Sequence, residues 1–109
     1  MNKQLKFSYN GKDYTLEFTR RSIQALEAQG FVISDMETKP VTTLPKLFAG
    51  AFLANHRYTD KDTINAIYNK LTNKNELVAK LAEMYAEPIN ALLSDPEEDE
   101  GNVSWTASF

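Results

Sequence analysis

The pair Asn10-Gly11 lies between two runs of alternating apolar residues, and this arrangement constrains the fold more than any other feature of the chain. Leu5, Phe7 and Tyr9 point one way on the first run, and Tyr14, Leu16 and Phe18 repeat the period on the second. Both residues of a two-residue hairpin turn need positive φ, which asparagine and glycine tolerate best. A turn at Asn10-Gly11 pairs Tyr9 with Lys12, Phe7 with Tyr14 and Leu5 with Leu16. That register gathers most of the apolar side chains on one face. A lone hairpin is marginal in water, so this face needs a partner layer from the rest of the chain.

The remaining pattern is helical. Thr19 is a suitable N-cap for a helix running through Gln29, with Ile23, Ala25 and Leu26 as its stripe and Gly30 as its C-terminal stop. Residues 31–43 read as a loop, because Pro40 and the neighbouring threonines break any period. A second helix is expected from near Thr43, with Pro45 in its first turn, ending near Asn55-His56-Arg57. Its middle, Leu47 to Ala54, is apolar on every side, so it is either buried all round or covered by a partner. A third helix follows Tyr58, capped by Thr59 or Asp60, with Ile64, Ile67, Tyr68 and Leu71 at helical spacing. Asn73 or Asn75 opens a fourth, carrying Leu77, Val78, Leu81, Met84, Tyr85, Ile89, Leu92 and Leu93, with a kink or break expected at Pro88. The fold class implied is α+β, mostly α: an N-terminal hairpin on a bundle of about four helices, forming one domain over 1–93.

Charge separates this body from the tail. All twelve Lys/Arg and ten of the fifteen Asp/Glu precede residue 94, leaving the body at +2, while residues 94–109 hold five acids and no base, a net of −5. The whole end, residues 94–109, with its run Glu97-Glu98-Asp99-Glu100, is expected to be a disordered acidic tail. A near-neutral body carries no clustered basic footprint for nucleic acid. The longest apolar run is too short for a membrane span, and Met1 to Lys6 lacks the apolar core of a secretory signal. A cytoplasmic location is therefore expected.

Candidate chemistry is sparse. The chain has no cysteine and a single histidine, His56, so thiolate catalysis and multi-imidazole metal sites are out of reach. A serine hydrolase would need His56 beside a hydroxyl nucleophile and an orienting acid, and no nucleophile-elbow motif is present. Asp60-Lys61-Asp62 begins like a calcium loop, but Ile64 and Asn65 stand where a third oxygen ligand and a glycine are required. Helix-terminal acids are the simpler reading. No cofactor or metal is expected, and the chain reads as a binding protein rather than an enzyme. The candidate partner-binding residues are Leu47, Phe48, Phe52 and Leu53 of the apolar run, Arg20 and Arg21 in a first helical turn that disfavours cations, and Trp105 beyond the acidic stretch, with Phe109 after it. Retention of Gly50, which costs about 1 kcal/mol against alanine inside a helix, points to close packing there. The edge of the hairpin is a further place for a partner strand.

The order of these motifs resembles a known family. Leu16-Glu17-Phe18-Thr19-Arg20 leads into a helix ending Gln29-Gly30-Phe31; Lys39-Pro40-Val41-Thr42 follows, then Leu47-Phe48-Ala49-Gly50-Ala51-Phe52 and Asn55-His56-Arg57. Over about residues 4–93 the chain is similar to tail assembly chaperones of long-tailed phages and prophages of Gram-positive bacteria. The resemblance implies a protein of the host bacterial cytoplasm that binds the tape measure protein, a long, helical, apolar client, and keeps it soluble until the tail tube forms around it. It also implies contacts with the tail tube protein or self-association as further possibilities. It transfers no catalytic residue. A structural virion component, such as a minor tail or head–tail protein, is the alternative reading.

Overall fold

In the computed structural model, residues 3–94 and 103–108 are described. The elements are β1 (Leu5–Tyr9), β2 (Lys12–Leu16), α1 (Arg20–Ala28), α2 (Asp35–Thr38), α3 (Pro40–Gly50), α4 (Lys61–Lys70) and α5 (Lys74–Leu93). The fold is α+β and mostly helical, as the patterning implies.

The hairpin has the expected register. Leu5 opposes Leu16, Phe7 opposes Tyr14 and Tyr9 opposes Lys12, and Asn10 and Gly11 take φ of 50° and 77°. The Phe7 and Tyr14 rings stack with centroids 5.4 Å apart, a cross-strand aromatic pair that fixes this register. The inner face of the hairpin then lies against the helices through a chain of rings. Tyr14 meets Phe52 edge-on at 5.8 Å, Phe52 meets Phe48 at 5.3 Å, and Phe48 meets Tyr68 of α4 at 5.1 Å. Phe18 and Phe31 both contact Tyr85 of α5, at 5.4 and 5.7 Å. Burial, together with the charge of Glu27, pushes the Tyr85 hydroxyl pKa up.

Local chemistry explains the clean helix starts. Thr19 and Ser22 form a reciprocal capping box at α1, and Asp60 caps α4 by accepting from the Thr63 N–H at 3.1 Å. Gly30 ends α1 at φ 89°, a left-handed conformation that costs glycine little.

Three expectations change. First, residues 31–43 are not a loop throughout. They contain the single turn α2 and the start of α3, because Pro40 supplies a preset helical φ at the first helical position and Pro45 consequently falls inside the helix. Second, α3 stops at Gly50 rather than near Arg57. Phe52 N–H donates to Ala49 C=O and Leu53 N–H to Gly50 C=O, and these tighter bonds turn the chain so that Asn55 and His56 reach the hairpin. Third, of the kink or break expected at Pro88, the break is excluded, because α5 continues through it to Leu93. Proline removes one hydrogen bond, and the rest of a long helix carries on beyond it. Of the tail expected to be disordered, residues 95–102 and 109 lie outside the described residues, and 103–108 carry no regular structure.

Candidate functional site

The buried and accessible residues of α3 divide around the helix as well as along it: Thr43, Leu47 and Phe48 are buried, while Val41, Pro45 and Lys46 are exposed and Ala49 is half-buried. Leu47, Phe48 and Phe52 are at most 1% exposed, so three of the residues expected to meet a partner form the core instead. The apolar run is continuous in sequence, but the hairpin, α4 and α5 enclose it from several directions. Leu53 is half-buried and reaches a surface groove. Arg20 and Arg21 are exposed on α1, away from any cavity wall described here. The carboxylate of Glu17 accepts from Gln4 Nε2 and Asn55 Nδ2. Trp105 is 82% exposed in a segment without regular structure.

The face of α3 that carries Val41, Pro45 and Ala49 is the accessible one. One groove of about 530 Å³ lies where α1, α3 and α4 meet, floored by Leu26, Ala49, Gly50, Leu53 and Ile64. At Gly50 a Cβ would lie 2.5 Å from Leu26 Cδ1, so a larger residue there would have to displace the Leu26 side chain. A second cavity of about 420 Å³ lies between α3 and α4 over Leu44, Phe48 and Tyr68. The two share Val41, Pro45 and Asn65, which makes them one apolar surface wrapped around the start of α3. Val41 stands on it at 88% exposure. Pro45 has no N–H, so the Val41 carbonyl lacks its usual helical donor. Lys46 and Lys61 line the first groove. Sequence reasoning missed Val41 and Pro45 because they were placed in a loop and in a first turn. The available signal was the Pro40-Val41 step, which starts a helix with an apolar residue on its outer side.

The histidine has a structural task. Its Nε2 accepts the Thr15 N–H at 3.0 Å, and Asn55 Nδ2 donates to Thr15 C=O at 3.1 Å and to Glu17 Oε1 at 3.0 Å. With Glu17 N–H donating to Ala51 C=O at 3.2 Å, the segment after α3 covers the outer edge of β2. An imidazole accepting at Nε2 is neutral, and burial, then the nearby Lys12 charge, holds its pKa below the usual histidine value. Nε2 is therefore engaged by the backbone and is not free to take a proton from a nucleophile. Asp60, one of the two cap residues the sequence offers, is the α4 cap; hydrogen bonds from Thr63 lower its pKa. Among the described residues no cluster of His, Asp and Glu suits a metal ion, and no helix is long and apolar enough to cross a membrane.

At the end of α5, Ile89, Leu92 and Leu93 continue the helix's apolar stripe beyond the core, at 37%, 57% and 79% exposure. A family model described as a domain of unknown function, DUF5055, matches residues 1–109. No curated protein and no solved structure matches the chain.

Proposed function

The chain belongs to the DUF5055 family, and on the strength of its accessible apolar surface we propose that it is a tail assembly chaperone of a long-tailed phage, binding the tape measure protein in the host cytoplasm. The observation that carries this reading is the joined apolar surface around Val41 and Pro45. A chaperone for a long apolar helix needs a shallow groove that accepts side chains at helical spacing. It does not need a deep, closed pocket. The surface at the start of α3 has that form: an apolar floor, a carbonyl without its helical donor, and lysines that favour a client helix carrying acids beside its apolar stripe. Many copies along one client act together, so each contact can be weak. The acidic tail adds mutual repulsion that keeps a coated client dispersed. The order of motifs from Leu16 to Arg57, similar to that of known chaperones of this kind, supports the same reading.

The test is co-expression with a tape measure protein encoded in the same genome. The expected result is client in the soluble fraction and co-purification of the two. Val41→Asp, at an exposed position, should leave the fold intact and reduce captured client at least tenfold. A client equally insoluble with and without the chain would overturn the proposal. Detection of the chain at fixed copy number in purified virions would favour the structural-component reading instead.

A further inference from the structure

The two edges of the hairpin are treated differently. On β2, the N–H and C=O of Thr15 are both engaged by His56 and Asn55, so they point away from β1. Thr15 opposes Lys6 in the register, which makes this a wide pair, and by alternation Lys6 and Ser8 direct their own N–H and C=O out along the far edge of β1. Among the described residues, no hydrogen bond meets those groups. The apolar face shows the same asymmetry. Leu16 and Tyr14 are 0% and 5% exposed, whereas their partners Leu5 and Phe7 are only half-buried. Beside β1 an open groove of about 620 Å³ runs toward α5, with Leu5, Leu77 and Met84 in its walls. A bare edge with an uncovered apolar flank is a seat for another strand.

The chain carries a segment of matching pattern. Val103-Ser104-Trp105-Thr106-Ala107-Ser108-Phe109 alternates apolar and polar residues throughout, the period of a strand with one buried face. In the single chain this segment has no partner: Val103 and Trp105 are 87% and 82% exposed. Glu97 to Glu100 precede it in the sequence, and the hairpin presents Lys6 on β1 and Lys12 at the start of β2 as exposed cations, with Asp13 next to Lys12. Laid antiparallel on β1, the segment would bring its acidic leader to the turn end of the hairpin, beside Lys12.

We propose that the C-terminal segment of one copy of this chain adds as a third strand to the β1 edge of a second copy, with Trp105 covering the exposed flank of Leu5 and Phe7. Backbone bonds from Lys6 and Ser8 provide the pairing, alternate apolar side chains select the face, and opposite charges set the direction. Reciprocal exchange closes two copies into a dimer with both edges covered.

Light scattering and amide hydrogen exchange on the full chain test this. The expected result is a mass above the monomer, with slow exchange at the Lys6 and Ser8 amides. Thr106→Pro, which breaks a strand without touching the folded body, should return the mass to monomer and speed exchange at those two amides at least tenfold. Ser8→Pro, which removes an outward donor from the acceptor edge, should also give a monomer; circular dichroism checks that its hairpin persists. A monomeric wild-type chain overturns the proposal, whether its amides exchange fast or are protected by its own tail. An oligomer unchanged by Thr106→Pro overturns it equally.

Discussion

The two halves of α3 and its continuation both carry apolar side chains, with largely opposite fates. Pro40 to Pro45 buries Thr43 but places Val41 almost fully in solvent, while Leu47 to Phe52 is sealed except at Ala49, which is half-buried on the groove. The difference is geometric: the hairpin and α5 converge on the second half, and the first half extends past them between α1 and α4. Apolar residues therefore have two roles on one helix, stability at one end and an accessible surface at the other. Hydrophobicity alone does not distinguish them.

Substitutions in the two halves separate these roles. Phe52→Ala should have the largest effect, a loss of about 3–5 kcal/mol, because Phe52 links Tyr14 of the hairpin to Phe48 of the core; urea unfolding measures it. If Phe52→Ala lowered stability no more than a surface change, the sealed half would not be the core described.

An intermediate effect is expected at the junction, where the turn after α3 holds the edge of β2. His56 must be neutral for Nε2 to accept from Thr15, and its pKa in the fold is lowered. The unfolded chain then takes up the proton first as pH falls. Stability from this contact is complete above about pH 6.5, the ordinary histidine value, and declines as pH drops below it. Thermal melts from about pH 8 to about pH 5 should show a fall in Tm that His56→Gln flattens. An identical pH profile in both proteins would remove the histidine from this role.

The smallest effect on stability should come from Val41→Ser in the exposed half, within about 0.5 kcal/mol. The same variant should weaken client capture several-fold, a split between folding and binding that no substitution in the sealed half can produce. Equal losses in both assays would mean that the accessible surface is structural after all.

Much of this architecture is legible in short windows of sequence. Asn10-Gly11 with its flanking alternation determines the hairpin and its register, since turn type and side-chain period are properties of a few adjacent residues. Thr19 with Ser22, and Asp60 with Thr63, mark their helix starts for the same reason. Gly30 marks an end by its left-handed φ. The tight packing inferred from Gly50 is present as the close approach of Leu26.

The tertiary structure decided what those windows cannot contain. Whether Leu47 or Val41 meets solvent depends on elements remote in sequence, and so does the task of His56, whose partner Thr15 is 41 residues away. The open edge of β1 is visible only once the segment after α3 is seen to cover the edge of β2. Periodicity reports which residues share a face; what lies against that face is determined by the packing of the whole chain.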